Sequence, residues 1–129
     1  MASYKLIKTL RLLPCSYQHL LWVTKLLKDS SYEYVLSLDY SISQNNTSIH
    51  NVVKSYFWAS RLISHNHCLA RSVALYQCLT ARGYDVQHKF GVHKTNKQFN
   101  AHAWVEYQGK PLNEHPQLRQ RFRVLERED

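Results

Sequence analysis

A helical pattern over residues 66–82 constrains this chain more than any other stretch. Apolar residues recur there at helical spacing and predict one buried stripe, formed by Leu69, Val73, Tyr76 and Leu79. Asn66 is a candidate N-cap, and Gly83 follows the last turn, where a left-handed residue is favoured. The sequence therefore predicts a helix that begins at or just before Cys68.

Cys68 falls in the first turn of this predicted helix. The unpaired backbone N–H groups and the helix dipole favour negative charge there, so a thiol at this position should ionise more easily than usual. A cysteine within a helix is more often a small core residue. This stretch by itself leaves both interpretations open.

Beyond Gly83 the apolar period changes from helical spacing to two. Residues 84–92 and 98–107 alternate between apolar and polar side chains, which predicts two strands. A further short strand is expected at 111–114, and residues 121–125 alternate as an edge strand would. These segments together predict an antiparallel meander.

The N-terminal part of the chain is expected to be helical. Residues 1–13 interleave basic and apolar side chains and predict a short amphipathic helix that ends before Pro14. Ser16 is then the expected cap of a second helix over residues 17–28. The apolar segment 34–38 fits either a turn of helix or a strand.

Residues 49–63 carry apolar side chains at helical spacing and predict a helix that leads into the Cys68 segment. Helices followed by antiparallel strands predict an α+β fold, with N-terminal helices packed on a small antiparallel sheet. At 129 residues we expect one domain, 1–129, with an N-terminal helical part at 1–48 and a core at 49–125.

The composition narrows the possible partners and compartments. A formal net charge of +8 suggests a negatively charged partner, or simply a solvated basic surface. Three cysteines without a close pair do not form a disulfide framework, and they predict a cytoplasmic protein. No signal peptide is expected, and no apolar stretch approaches the roughly 20 residues of a membrane helix.

A histidine in the middle of the second predicted strand can complete a thiol site with Cys68. His102 lies between Ala101 and Ala103, whose small side chains let another element approach closely. The polar pair Asn113-Glu114 follows. Cysteine, then histidine, then a carboxylate or amide is the order of parts in a thiol acyl-transfer site. A core histidine with satisfied hydrogen bonds is the alternative at this position.

Two other site classes are less well supported. His65, His67 and Cys68 form one loose cluster, whereas a structural zinc site usually shows two well-spaced ligand pairs, so no metal or other cofactor is predicted. The lysines and arginines are spread along the chain and no nucleic-acid fingerprint occurs, so no nucleic-acid partner is predicted.

Five segments carry a resemblance to a known family. They are Cys68 to Leu75, Arg82 to Tyr84, Phe90 to Val92, Phe99 to Glu106 and Gly109 to Asn113. In these segments the chain resembles the transglutaminase-like cysteine peptidases of lasso-peptide biosynthesis, the leader peptidases. The resemblance covers residues 50–115 well and the N-terminal helices loosely.

The resemblance implies a transglutaminase/papain-like core with Cys68 as the nucleophile and His102 as the general base. The third catalytic residue of the family is usually an aspartate just after the glycine turn. Glu114 takes that place here, and Asn113 precedes it. The resemblance therefore implies Glu114, or alternatively Asn113, as the third member.

The implied activity is removal of the leader from a precursor peptide, beside a separate leader-binding protein and an ATP-dependent lasso cyclase. First-turn N–H groups near Leu69 are expected to stabilise the oxyanion, and Trp104 is expected to line the site. The substrate-binding residues are not indicated. The alternatives are a non-catalytic basic scaffold that binds leader peptide or partner protein, and an acyltransferase on the same Cys–His site.

Overall fold

The computed structural model describes residues 2–38, 40, 48–63, 68–95, 98–112 and 123–125. Within these ranges, four helices precede four strands. The helices are α1 (Ala2–Asp29), α2 (Tyr32–Ser37), α3 (Ile49–Ile63) and α4 (Cys68–Ala81). The strands are β1 (Val86–Thr95), β2 (Gln98–Tyr107), β3 (Lys110–Pro111) and β4 (Arg123–Leu125).

The strands form one antiparallel sheet in the order β3-β2-β1-β4. β1 and β2 pair along their full lengths. β4 pairs with the outer edge of β1, as the alternation at 121–125 predicted. β3 pairs with the end of β2. Helices packed on an antiparallel sheet confirm the predicted α+β fold.

The prediction of a break at Pro14 is wrong, because α1 runs through this residue without interruption. Pro14 itself is exposed, but Leu12 and Ser16 on either side of it are buried against the rest of the protein. Ser16 does not cap a helix; its hydroxyl lies 2.7 Å from the hydroxyl of Ser55 on α3. Packing along α3 therefore outweighs the hydrogen bond that a proline removes from a helix interior.

The ambiguous segment at 34–38 falls largely within a short helix, α2. The N–H of Tyr34 donates to Ser31 Oγ at 3.3 Å, which caps this helix. The next helix, α3, is capped in the same manner, since the N–H of Asn51 donates to Ser48 Oγ at 3.4 Å. Both caps supply acceptors for N–H groups that the first helical turn leaves unpaired.

The end of α4 follows the sequence prediction closely. Gly83 adopts the left-handed conformation with a φ of 93°. Its N–H donates to the carbonyl of Thr80, and the N–H of Tyr84 donates to the carbonyl of Leu79, both at 3.0 Å. This pair of bonds is the Schellman arrangement that ends a helix. The predicted N-cap, Asn66, lies outside the described residues.

α4 is the central helix and contacts the other three helices as well as β1 and β2. Of the predicted stripe, Val73 and Leu79 are fully buried, whereas Leu69 and Tyr76 are half-buried. The buried surface also includes residues outside that stripe, namely Ala70, Ser72, Ala74, Leu75, Gln77 and Cys78. The sequence predicted one buried stripe, but α4 is buried on more than one side, because helices cover one side and the sheet covers the other.

A buried hydrogen-bond cluster joins all four helices, α1, α2, α3 and α4. Gln77 donates from Nε2 to the carbonyl of Val35 at 2.6 Å, so its Oε1 accepts from His19 Nε2–H at 2.7 Å. His19 Nδ1 then accepts from the Tyr56 hydroxyl at 2.5 Å. The ring of Tyr40 stacks on His19 with centroids 3.6 Å apart. Burial lowers the pKa of His19 to about 4, so this imidazole is neutral in the folded protein.

Across the ranges the structure describes, no helix combines the length and hydrophobicity needed to cross a bilayer.

Candidate active site

The N-terminus of α4 meets the middle of β2, where Cys68 and His102 share a hydrogen bond. Cys68 is the first residue of α4, and both side chains are half-buried. Gly91 pairs with His102 across the sheet and has no side chain to occupy the same face. The structure thus brings together the thiol and the imidazole that the sequence singled out.

The electrostatic surroundings favour the thiolate form of Cys68. The hydrogen bond with His102 is the largest influence and lowers the pKa of this thiol, while partial burial opposes it. The positive charges of His102 and Arg71 act in the same direction as the hydrogen bond. The net result is a pKa for Cys68 below its ordinary value, so the pair is suited to nucleophilic chemistry.

A backbone hydrogen bond to Ala103 also lowers the pKa of Cys68. The carbonyl of Val105 faces the β3 edge of β2, since it accepts from the N–H of Leu112 at 2.9 Å. Backbone groups two residues apart face the same edge of an antiparallel strand, so Ala103 faces this edge as well. β3, as described, pairs only with the last two residues of β2. The N–H of Ala103 is therefore directed toward the thiol.

His102, Trp104 and Glu106 lie on one face of β2 because side chains alternate along a strand. The rings of His102 and Trp104 stack with centroids 5.9 Å apart and planes inclined by 22°. Trp104 Nε1–H donates to Glu106 Oε2 at 2.8 Å, and both residues are buried. Trp104 thus lies against the imidazole, and Glu106 holds the indole in place.

Two residues near this pair were not predicted to belong to the site. Glu106 follows Trp104 by two residues, and strand alternation places it on the face of His102, but the sequence assigned it no role at the site. Arg71 follows Cys68 by three residues, a spacing that places both on one side of a helix. Neither residue type is unusual in its element, so the sequence alone does not distinguish them.

Three further residues were predicted for the site, namely Leu69, Asn113 and Glu114. Leu69 is half-buried in the first turn of α4, where backbone N–H groups have no intrahelical acceptor and can bind an oxyanion. Asn113 and Glu114 lie outside the described residues, as do His65 and His67. In the part of the chain that the structure describes, no group of three or more His, Cys, Asp or Glu side chains could hold a metal ion.

A thiol hydrogen-bonded to an imidazole at a helix N-terminus can perform acyl-transfer chemistry. Comparison with protein families agrees with this class of chemistry, because the model of the transglutaminase-like superfamily matches residues 25–127. The match spans most of the sequence, and the chain belongs to the transglutaminase-like superfamily. This superfamily includes cysteine peptidases and acyltransferases. Searches among curated proteins and among solved structures found no significant match.

Proposed function

We propose that this protein is a cysteine peptidase that removes the leader from a lasso-peptide precursor, with Cys68 as nucleophile and His102 as general base. The observation that carries the proposal is the hydrogen bond between the Cys68 thiol and His102. Membership of the transglutaminase-like superfamily supports the class of chemistry. The choice of a lasso-peptide precursor as the substrate rests on the resemblance of the five sequence segments to leader peptidases.

The reaction proceeds in two acyl-transfer steps. The Cys68 thiolate attacks the scissile carbonyl carbon, a C–S bond forms, and the carbonyl oxygen becomes an oxyanion. The His102 imidazolium gives its proton to the amine nitrogen as the C–N bond breaks, which leaves a thioester on Cys68. Water then attacks the thioester while His102 takes a proton from the water. The C–S bond breaks, and the leader is released with a new carboxyl group.

First-turn N–H groups of α4, including that of Leu69, are the proposed oxyanion donors. Removing one such donor in known enzymes costs about 2.7–4 kcal/mol of transition-state stabilisation. Glu114, or alternatively Asn113, is the proposed third residue, which would accept from the far ring nitrogen of His102. Trp104 contributes the wall against which the imidazole stacks.

The proposed partners are the precursor peptide, a leader-binding protein on a separate chain and an ATP-dependent lasso cyclase. The formal net charge of +8 would favour docking to an acidic leader or to an acidic face of the leader-binding protein. The proposed compartment is the cytoplasm, and the proposed reaction requires no cofactor.

The test mixes the purified chain with its precursor and the leader-binding protein and follows peptide mass. Cys68→Ala should abolish cleavage while leaving the circular dichroism spectrum intact. Cys78→Ala is the matched control, because Cys78 is a buried thiol of the same helix, and it should retain cleavage. Cleavage by Cys68→Ala at the wild-type rate would refute the peptidase proposal.

Acyl transfer to an amine is the second candidate, because the superfamily also contains acyltransferases. Adding a small primary amine to the same reaction separates the two activities, since a transferase releases an amide where a peptidase releases an acid. A non-catalytic scaffold would instead bind the leader without turnover. Its binding would survive Cys68→Ala and weaken steeply with salt.

A further inference from the structure

The guanidinium of Arg71 is held in a fixed position beside the candidate site. Its central carbon lies 3.9 Å above the ring centroid of Phe57, in cation–π contact. Its Nη1–H donates to the hydroxyl of Ser60 at 3.5 Å. Both contacts come from α3, so the side chain bridges from α4 to its neighbour. Side-chain freedom is thereby reduced, and the charge has a defined location.

A cation at this position of α4 is electrostatically unfavourable for the helix itself. Arg71 is the fourth residue of α4, close to the positive end of the helix dipole. A nearby negative charge would offset this cost. Cys68 lies three residues earlier, on the same side of the helix, and its sulfur is the group that becomes anionic there.

Arg71 also lies close to the residues of β2 that surround the thiol. It lines a cavity of about 10 Å³ together with Ala103 and Trp104. In the described part of the chain, the charged groups that act on Cys68 are His102 from β2 and Arg71 from its own helix. His102 loses its positive charge when it donates its proton, whereas an arginine keeps its charge throughout.

We infer that Arg71 is a positioning residue of this site, whose permanent charge favours the anionic form of the Cys68 sulfur whatever the protonation state of His102. This inference rests on the proposed function in that the Cys68 thiolate is the nucleophile. The charge acts twice in the cycle. It favours the thiolate before attack, and it stabilises the same thiolate when the thioester C–S bond breaks.

The test measures the alkylation rate of Cys68 by iodoacetamide as a function of pH, with mass spectrometry to resolve the three cysteines. Iodoacetamide is uncharged, so its own attraction to Arg71 does not enter. Arg71→Met removes the charge and keeps an unbranched chain. It should shift the profile to higher pH and slow alkylation near about pH 6 by roughly threefold or more, half a pKa unit. The pH profile of Arg71→Lys should lie between those of the wild type and Arg71→Met.

Arg82→Met is the matched control, because Arg82 is a half-buried arginine just beyond the far end of α4. It should leave the Cys68 profile unchanged even if it lowers the melting temperature. An Arg71→Met profile that coincides with that of Arg82→Met would overturn the inference. If Arg71→Met does not fold, Phe57→Leu serves in its place, because it removes the ring under the guanidinium. This variant should shift the Cys68 profile in the same direction by a smaller amount. A Phe57→Leu profile without that shift would count equally against the inference.

This design distinguishes failure of the peptidase proposal from failure of the inference about Arg71. If wild type does not cleave the precursor but Arg71→Met still shifts the Cys68 profile, the peptidase proposal fails and the role of Arg71 stands. If wild type cleaves and the profile of Arg71→Met is unshifted, the peptidase proposal stands and the role of Arg71 is refuted.

Discussion

Ser72 Oγ of α4 lies 2.8 Å from Nε2 of His88 on β1, in a buried contact one helical turn beyond Cys68. The Ser72 hydroxyl donates to the carbonyl of Leu69 at 2.9 Å, so the imidazole N–H donates to Ser72. This bond ties the first part of α4 to the sheet. The thiol is therefore carried by a helix whose position over β1 and β2 is set by a directional contact as well as by apolar packing.

Ser72→Ala is expected to lower the free energy of unfolding by about 1–3 kcal/mol, because it removes a hydrogen-bond partner of a buried imidazole. Urea denaturation measures the change. Thr80→Ala is the control on the same helix, since Thr80 is exposed, and it should change stability by less than about 0.5 kcal/mol. Equal stabilities for the two variants would show that the bond to His88 contributes nothing.

The buried His19 should make stability fall in mildly acidic solution. Its pKa is about 4 in the folded protein and about 6.5 when unfolded, so below about pH 6.5 the unfolded chain takes up the proton first. Stability is fully present above pH 6.5 and should decline by about 3 kcal/mol as the pH falls to about 4. Urea titrations at several pH values measure this slope.

His19→Gln should remove most of this pH dependence, at the cost of lower stability at neutral pH. The matched control is His50→Gln, which replaces an exposed histidine of α3 and should keep the wild-type slope. A slope that disappears equally in both variants would mean that the burial of His19 is not its cause.

His102→Gln should slow alkylation of Cys68 in mildly acidic solution by about tenfold or more. The hydrogen bond with His102 is the largest influence lowering the pKa of this thiol, so its loss raises the pKa and reduces the thiolate fraction. Cys15 and Cys78 serve as internal references in the same digest. Rapid alkylation of Cys68 that persists in the variant would remove His102 from the proposed mechanism.

Gly83→Ala should lower stability by about 1 kcal/mol, because only glycine adopts a φ of 93° without strain. An added Cβ would meet no atom within 4 Å, so the effect is one of backbone conformation and not of crowding. Gly83→Asn should cost less, since asparagine tolerates the left-handed region. From most to least stable, the expected order is Gly, Asn and Ala at position 83. An alanine variant as stable as wild type would contradict this explanation.

Patterns that depend on near neighbours in the chain were predictable. The helix that begins at Cys68, its end at Gly83 and the change of period beyond it follow from side-chain spacing and from the conformational freedom of glycine. The edge strand β4 was also predicted, from the alternation at 121–125. In contrast, the break at Pro14 was predicted from a local preference, and the contacts of α1 with α3 override that preference.

The catalytic roles of Cys68, His102 and either Glu114 or Asn113 stay predictions, and so does the division of the chain at residue 48. The sequence indicated which residue types could form a thiol site and in what order, but spacing along the chain does not determine distance in space. Arg71 illustrates this limit, because the Phe57 ring and the Ser60 hydroxyl that hold its guanidinium lie on another helix and only the folded chain brings them near it.

The amino-acid sequence by itself determined the local elements of this protein, because helix and strand periods and the glycine after α4 act over a few residues. Tertiary structure alone decided that the Cys68 thiol, the His102 imidazole and the N–H of Ala103 meet. That meeting requires α4 to cross β2 at one register, and the register depends on packing and hydrogen bonds between segments far apart in the chain.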